Sequence, residues 1–270
     1  MKTAVLLFGD YREFEAASVS YQVFEHLDVD FFVSTWDKTL EYDKYYDIKT
    51  KDITVGKINR HLPSNAVFTS IADEKGLSNL NFTQKMVYHW KVLGAALRDT
   101  IVEYDIVILL RIDFYIKVFD YSKLVEEATD NKLHVDFGGL EYRDDGTFYV
   151  GDVHHCGSPE LVLKYIDMLP LNPPLASHID FGSILRYSNV EVASNKSISG
   201  MLLRPTTSKL IGDNHIRNLE FLERNYINYI ALYEIYTNWW HTSDSYGDGA
   251  RVPFKEFYSK NYLNGFLKTE

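Results

Sequence analysis

The sequence has little of what small disulfide-stabilised proteins and membrane proteins contain. Its 270 residues include one cysteine, Cys156, which excludes an internal disulfide and a cysteine-rich zinc site and fits a reducing compartment. The N-terminal apolar run, residues 3–8, stops at Gly9 and is too short for a signal sequence or a transmembrane helix. These features predict a cytoplasmic protein without a transmembrane segment.

Basic side chains are also few relative to acidic ones. The chain has 28 Lys and Arg against 38 Asp and Glu, which gives a formal net charge of -10. An acidic surface repels nucleic-acid phosphates, so nucleic acid is a disfavoured partner unless positive charge is concentrated in a local groove.

The remaining composition is that of a globular protein, with 46% hydrophobic and 24% charged residues. Aromatic residues make up 15% of the chain, and such side chains stack on sugar rings as well as filling cores. Core filling is the favoured interpretation. No repeat, low-complexity tract or linker rich in Pro, Gly and Ser divides the sequence, which predicts a single domain over residues 1–270.

Hydrophobic spacing predicts alternating strands and helices in the N-terminal half. Residues 3–8 and 29–34 are apolar runs typical of buried parallel strands, and residues 13–27 between them have apolar side chains at helical spacing. A helix predicted over residues 81–103 leads into an apolar strand over residues 105–111. The pattern predicts an α/β fold with a mainly parallel central sheet flanked by helices, and a mixed α+β C-terminal part.

Ligands of open α/β sheets bind beyond the carboxyl ends of the strands, and three segments of this chain follow such ends. The first contains Gly9 and Arg12, after the first predicted strand. Glycine allows close approach of the backbone, and an arginine together with a helix N-terminus suits a diphosphate. A tight turn with a solvated arginine explains the same residues equally well.

The second segment contains Arg111 and Asp113, at the end of the predicted central strand. A carboxylate in this position suits a divalent cation that also contacts a diphosphate, because Mg²⁺ combines few protein carboxylates with substrate phosphates. The alternative is a structural ion pair between the two side chains at the rim of the sheet. The position favours a functional Asp113, whose replacement by Asn is then expected to leave the fold intact.

The third segment, residues 151–157, contains Asp152 followed by the adjacent His154 and His155. Neighbouring side chains of an extended chain point in opposite directions, so the two histidines are not expected to bind one metal ion. Asp152 is a candidate for positioning an acceptor hydroxyl or accepting its proton. The alternative is a polar turn before the next helix.

Four stretches of the chain, taken in order, carry a likeness to known proteins. They are residues 4–14 (AVLLFGDYREF), 30–37 (DFFVSTWD), 104–113 (YDIVILLRID) and 151–160 (GDVHHCGSPE). Together they resemble a family of small bacterial and viral glycosyltransferases with the GT-A type nucleotide-sugar fold, and the likeness covers roughly residues 1–205. The first stretch is similar to the family's opening strand with its Gly-x-x-Arg loop.

The resemblance implies a Rossmann-like domain with a nucleotide-binding half over residues 1–115 and an acceptor-side half over residues 116–205. The helical spacing of residues 213–236 predicts a helical C-terminal extension over residues 206–270. The resemblance also assigns donor-binding residues on the first strand loop, the helix before the central strand and the end of that strand. These are Gly9, Arg12, Gln84, Lys85, Lys91 and Arg111.

The resemblance further implies that Asp113 is both a catalytic residue and the ligand of a Mn²⁺ or Mg²⁺ ion, and that Asp152 binds or activates the acceptor. The acidic motif of such enzymes is usually Asp-x-Asp, and here Arg111 stands at its first position, which leaves one carboxylate. His241 in the C-terminal third is a candidate for completing the metal shell, although lone histidines are more often structural.

The sequence therefore predicts an enzyme, a glycosyltransferase that moves a sugar from a nucleoside-diphosphate donor such as a UDP-sugar to a hydroxyl acceptor. A glycan is the expected acceptor, and a modified base in viral DNA is the less favoured one. Two alternatives stay open: a non-catalytic sugar- or nucleotide-binding module, and a Mg²⁺-dependent nucleotidyltransferase.

Overall fold

The structure is a computed structural model, and it describes residues 1–11, 14–42, 48–136, 140–142, 148–171 and 178–202. The chain divides into two units. The first comprises Met1–Leu40 with Thr50–Leu202, and the second Glu41–Lys49 with Leu203–Glu270. The second unit lies almost entirely outside the described residues, so the single domain and its three predicted segments stay predictions.

The described elements are strands and helices in mixed order along the chain. The helices are α1 Phe14–Ala17, α2 Val55–Asn59, α3 Phe82–Arg98, α4 Tyr121–Thr129, α5 Pro159–Met168 and α6 His178–Tyr187, with 3₁₀ turns at Ser18–Phe24, Lys75–Leu77 and Ile101–Glu103. The strands are β1 Thr3–Gly9, β2 Val29–Trp36, β3 Lys38–Tyr42, β4 Ile48–Asp52, β5 Phe68–Ala72, β6 Ile106–Arg111, β7 Phe114–Phe119, β8 Leu133–Val135, β9 Leu140–Tyr142, β10 Phe148–Val150, β11 His154–Gly157, β12 Val192–Ser194 and β13 Ile198–Leu202.

Seven of the described strands form the central sheet, in the order β12-β8-β11-β6-β1-β2-β5. Neighbours pair in parallel except at β11, which runs antiparallel to both β6 and β8. The predicted α/β class, with a mainly parallel central sheet flanked by helices and a mixed C-terminal part, is confirmed. Among the described residues, none of the helices combines the length and the apolar composition needed to cross a membrane.

Strands β1 and β6 lie in the middle of the sheet and are buried on both faces, which explains why each reads as a continuous apolar run. On one face, Leu6 and Leu109 pack with side chains of α3 and α5. On the other, Leu7 and Leu110 pack with the helical segment after β1 and with α4. The two layers hold the end of β6 in a rigid frame.

The predicted helix over residues 13–27 is an α-helical turn followed by a 3₁₀ segment rather than one α-helix. Two serine hydroxyls there donate to backbone carbonyls, Ser18 Oγ to Glu15 O at 3.0 Å and Ser20 Oγ to Ala17 O at 2.7 Å. Such local bonds compete with the regular α-helical pattern, and apolar residues spaced three apart suit a 3₁₀ helix as well.

The helix α3 begins after its N-cap Asn81. The Asn81 side chain accepts a hydrogen bond from the Gln84 backbone N–H, and the Gln84 side chain accepts one from the Asn81 N–H, which completes a capping box. The helix ends at Arg98 rather than near residue 103 as predicted. The helix α5 has Ser158 as its N-cap and Pro159 in its first turn.

The interpretation of residues 151–157 as a polar turn is wrong for its second half, because His154–Gly157 form the buried strand β11. Two polar residues in succession concealed the strand, since they break the apolar run that marks its neighbours. Both imidazoles are buried, with His154 2% and His155 0% exposed. Strand β7, which pairs antiparallel with β13, was also missed.

Replacement of Val107 by Asp tests the position of β6. The side chain is fully buried between β1 and β11, so an unpaired carboxylate there should cost more than about 4 kcal/mol and prevent folding. Val118→Asp is the matched control, because Val118 is 56% exposed and its replacement should cost about 1 kcal/mol or less. Urea unfolding followed by circular dichroism measures both; a stable Val107→Asp variant would contradict the assigned core.

Candidate functional site

The ends of β1, β2 and β6 meet at one edge of the sheet. Phe8 is the register partner of both Ser34 on β2 and Arg111 on β6, so these three residues lie side by side. The Ile112 backbone N–H donates to the Phe8 carbonyl at 2.8 Å. Gly9 and Asp113 therefore follow neighbouring strand ends at the same edge, which is the arrangement that a shared site requires.

Gly9 has a backbone conformation that favours glycine, with φ at 111°. Among the described residues, no atom lies within 4 Å of a Cβ built on Gly9, so these residues leave the space above its Cα open. Thr35 donates its hydroxyl to the Gly9 carbonyl at 2.7 Å and holds the turn against β2. Arg12, predicted to bind the donor with Gly9, lies outside the described residues.

Arg111 and Asp113 form the buried ion pair that the sequence left open as an alternative. Arg111 Nε donates to Asp113 Oδ1 at 3.0 Å, and an Nη of Arg111 donates to Asp113 Oδ2 at 2.9 Å. Arg111 is 7% and Asp113 1% exposed, so Asp113 is buried, and the expectation that its replacement by Asn leaves the fold intact stays a prediction. Its metal-binding and catalytic roles stay predictions.

Asp152 lies on the other side of the same guanidinium. Its Oδ2 is 3.6 Å from Arg111 Nη1, and its side chain is buried. Burial acts to lower the pKa of Arg111, but the nearby carboxylates of Asp113, Asp152 and Asp10 outweigh it and raise the pKa above the usual value. The guanidinium is therefore a permanent cation held between two carboxylates.

Asp136, directly after β8, is a site residue that the sequence reasoning missed. Burial raises its pKa to about 6, and the charge of Asp152 acts in the same direction, against hydrogen bonds from the backbone N–H groups of Val153 and His154. Its Oδ1 is buried and has no hydrogen-bond partner in the described ranges.

Gly151 makes room for this carboxylate, because a Cβ at residue 151 would overlap both Asp136 oxygens. Gly9 and Asp113 were selected because ligands bind beyond the carboxyl ends of strands. Asp136 meets the same criterion, since β8 runs in the direction of β6. The strand β8 ends at Val135, directly before Asp136.

The side chains of Arg111, Asp113, Asp136 and Asp152, here called the acidic cluster, contain three carboxyl groups and one guanidinium. They follow one another in the order Asp113, Arg111, Asp152, Asp136, as the ion-pair distances and the electrostatic influence of Asp152 on Asp136 show. Carboxylates accept hydrogen bonds from hydroxyl groups and repel unshielded phosphates. The acidic cluster is thus better suited to sugar hydroxyls than to a diphosphate.

The two adjacent histidines point to opposite faces of β11, as predicted. The His154 ring lies 5.3 Å from the ring of Phe114, and the His155 ring lies 5.4 Å from Trp90 and 5.2 Å from Tyr165. Burial lowers the pKa of His154 to about 4, so this imidazole is neutral at pH 7. The histidines therefore contribute to the core beneath the site and do not share a ligand.

The Tyr165 hydroxyl lies within the electrostatic reach of the acidic cluster. Burial raises the pKa of this phenol, and the charges of Asp152 and Asp136 raise it further. Within the described part of the chain, neither this oxygen nor the Nε1 of the neighbouring Trp90 has a hydrogen-bond partner. Both side chains are fully buried and belong to the core.

The Ser34-Thr35-Trp36 stretch of β2 makes contacts with other elements of the fold. Ser34 Oγ lies 2.8 Å from His89 Nδ1, and the Trp36 ring lies 4.2 Å from the His89 ring. Burial lowers the pKa of His89 to about 3, so its imidazole is neutral. These contacts join the end of β2 to α3 and keep the sheet edge next to Gly9 in place.

The three donor-binding residues predicted on α3 have structural contacts in the described part of the chain. Gln84 Nε2 donates to the Leu171 carbonyl at 2.7 Å, in addition to its capping role. Lys85 pairs with Glu74 at 2.6 Å, and Lys91 Nζ donates to the Asp167 carbonyl at 2.8 Å. None of these contacts reaches the acidic cluster, and the predicted roles of the three residues in donor binding stay predictions.

The described residues do not fit a divalent cation. Both oxygens of Asp113 are bonded to Arg111, and no group of three or more His, Cys, Asp or Glu within the described ranges is arranged to hold a metal ion. His241, the second predicted ligand, lies outside those ranges. The carboxylate oxygens that a metal ion would need at the end of β6 are therefore hydrogen-bonded to Arg111.

Comparisons with known proteins give structural similarity alone. No protein-family model matches the chain, and no curated protein matches it. Among solved structures, the galactosyltransferase LgtC in complex with donor and acceptor sugar analogs is 14% identical over 80% of this chain and 81% of its own, with a TM-score of 0.44.

Two further solved structures are similar to the chain. The glycosyltransferase GlyE of Streptococcus pneumoniae TIGR4 is 16% identical over 73% of this chain and 45% of its own, with a TM-score of 0.41. An active-site mutant of LgtC is 14% identical over 71% and 72%, also with a TM-score of 0.41. These structures are glycosyltransferases, the kind of enzyme that the sequence motifs resemble.

The stability of the protein should depend on pH through Asp136. Its folded pKa of about 6 lies above the unfolded value near 4, so its contribution to stability is fully present below pH 4 and is lost as pH rises through 6. Asp136→Asn removes this loss, and its free energy of unfolding relative to wild type should rise by about 2 kcal/mol between pH 4 and pH 7.

Denaturant unfolding at the two pH values measures this difference. Asp28→Asn is the control, because Asp28 is exposed and its carboxylate is hydrated in the folded and unfolded chain alike. An Asp136→Asn difference that stays constant with pH would show that the carboxyl group is not buried as described.

Proposed function

We propose that this chain is a GT-A type glycosyltransferase, which moves a sugar from a nucleoside diphosphate to a hydroxyl acceptor. The observation that supports this proposal is the acidic cluster, three buried or partly buried carboxyl groups at the carboxyl edge of a mainly parallel α/β sheet. Such edges are where open α/β sheets bind ligands, and the sequence motifs that resemble glycosyltransferases converge there.

The acidic cluster supplies the groups that a sugar transfer needs on the acceptor side. In the proposed reaction Asp152, held beside Arg111, accepts a hydrogen bond from the acceptor hydroxyl. The hydroxyl proton passes to Asp136 while the acceptor oxygen forms a bond to the anomeric carbon. The bond between that carbon and the diphosphate oxygen breaks, and its electron pair leaves with the nucleoside diphosphate.

Asp136 is better suited than Asp152 to take the proton. Its pKa of about 6 makes it largely ionised at pH 7 and still basic enough to accept a proton as the new bond forms. One of its oxygens has no hydrogen-bond partner among the residues that the structure describes, whereas Asp152 is in contact with a permanent cation. In this proposal Asp152 positions the acceptor hydroxyl, and Asp136 accepts its proton.

The donor diphosphate is proposed to lie at the turn after β1, next to the acidic cluster. The described residues leave the space above Gly9 open, and the Thr35 hydroxyl fixes the direction of the Gly9 carbonyl. Arg12 follows in the sequence and is proposed to donate to the phosphate oxygens. The acceptor is proposed to be a glycan, because the net charge of -10 opposes binding to DNA.

Isothermal titration of the whole chain with UDP-, GDP- and dTDP-sugars tests the proposal, followed by assays of the released phosphate product. We expect at least one nucleotide to bind in the micromolar range and nucleoside diphosphate to be released on turnover. Release of pyrophosphate would identify a nucleotidyltransferase, and binding without turnover of any acceptor or of water would identify a binding module. Absence of binding to every nucleotide would overturn the proposal.

Two substitutions separate the proposed roles in turnover. Asp136→Asn should lower kcat by about 10²- to 10⁴-fold, because the acceptor proton loses its base, with little change in donor affinity. Wild-type kcat should rise with pH through about 6, the pKa of Asp136. Asp152→Asn should mainly raise KM for the acceptor.

Initial rates at varied acceptor concentration and pH measure these effects. The control is again Asp28→Asn, which removes an exposed carboxylate far along the chain from the acidic cluster and should keep wild-type kinetics. An Asp136→Asn enzyme with kcat within a few-fold of wild type would exclude Asp136 as the base.

A further inference from the structure

The chemistry of the acidic cluster raises the question of what balances its negative charge. Carboxylates in the interior need a partner of opposite charge, because isolated buried charges are strongly destabilising. In this protein the partner is Arg111, which contacts Asp113 through two nitrogens at 3.0 and 2.9 Å and Asp152 through a third at 3.6 Å. All three contacts are made by one rigid, planar group.

This geometry is that of a cation shared by two carboxylates. A divalent metal ion at such a strand end would also be held by carboxylate oxygens from neighbouring segments. Here the oxygens that it would need on Asp113 both accept hydrogen bonds from Arg111. Arg111 also stands at the first position of the Asp-x-Asp motif of the resembled family. The chain therefore has a positive charge where a metal-binding carboxylate is expected.

We propose that the Arg111 guanidinium is a built-in cation of the acidic cluster and takes the position that a divalent metal ion would otherwise hold between Asp113 and Asp152. It fits this role because arginine keeps its charge at every physiological pH and matches a carboxylate with two parallel hydrogen bonds. The inference does not depend on the proposed sugar transfer, since it concerns only which cation the carboxylates hold.

The inference has two consequences that can be observed without any sugar nucleotide. The wild-type acidic cluster binds no Mn²⁺, because its cation position is filled. Removal of the guanidinium takes away the cation that contacts both Asp113 and Asp152, and a divalent ion then becomes the cation that stabilises them. Arg111→Met preserves the length and much of the volume of the side chain while removing the charge.

The test is titration of EDTA-treated, desalted protein with MnCl₂, followed by electron paramagnetic resonance of the free ion. We expect the Arg111→Met variant to bind one more Mn²⁺ ion than wild type. The affinity of this additional site should be at least tenfold higher than that of any Mn²⁺ binding by wild type at the acidic cluster. The variant should also gain thermal stability when Mn²⁺ is added. Asp152→Asn combined with Arg111→Met should abolish this gain. Arg98→Met is the matched control, because Arg98 forms an exposed ion pair with Asp167 and its loss should create no Mn²⁺ site.

The wild-type protein and its Asp152→Asn variant decide the matter if Arg111→Met does not fold. Mn²⁺ binding by wild type that Asp152→Asn removes would overturn the inference, because the cluster would then hold a metal ion beside Arg111. No binding by wild type, or binding that Asp152→Asn leaves unchanged, supports it. A folded Arg111→Met variant that gains no Mn²⁺ would overturn it as well.

Discussion

The ion pair between Arg111 and Asp113 is the interaction on which the described site depends. Both side chains are almost fully buried, so neither charge has enough water around it to be stable alone. The pair is tolerated because its geometry is bidentate and because the residues are only two apart at the end of the central strand. That short separation fixes the direction of Arg111 and leaves its remaining nitrogen to face Asp152.

The antiparallel strand β11 determines which residues join this pair. Because β11 runs against β6, its amino end lies at the carboxyl edge of the sheet, and the residues before it reach the site. Gly151 and Asp152 stand at that position. Gly151 leaves space for the Asp136 carboxylate from the end of β8, so two chain segments that run in opposite directions bring their carboxyl groups together.

Burial gives the carboxyl groups of the cluster different properties. Asp113 is neutralised by Arg111, Asp152 lies between a cation and another acid, and Asp136 has a pKa raised to about 6 by burial. When neighbouring carboxyl groups lie in different environments, their pKa values differ. An active site can then use one carboxyl group for binding and another for proton transfer. A charged diphosphate is poorly matched to this cluster, whereas hydroxyl groups find acceptors there.

The strands β1, β2 and β6, the helices α3 and α5, and the edge of the sheet where Gly9 and Asp113 meet can be inferred from local patterns. Buried parallel strands are continuous apolar runs, and caps need particular side chains at particular spacings. The assignment of His154 and His155 to a buried strand depends on long-range packing, because Trp90, Tyr165 and Phe114 come from distant parts of the chain. The ion pair of Arg111 with Asp113 and the approach of Asp136 to Asp152 depend on the three-dimensional fold as well. The cost of burying a charge depends on what surrounds it in three dimensions, and no local pattern contains that information.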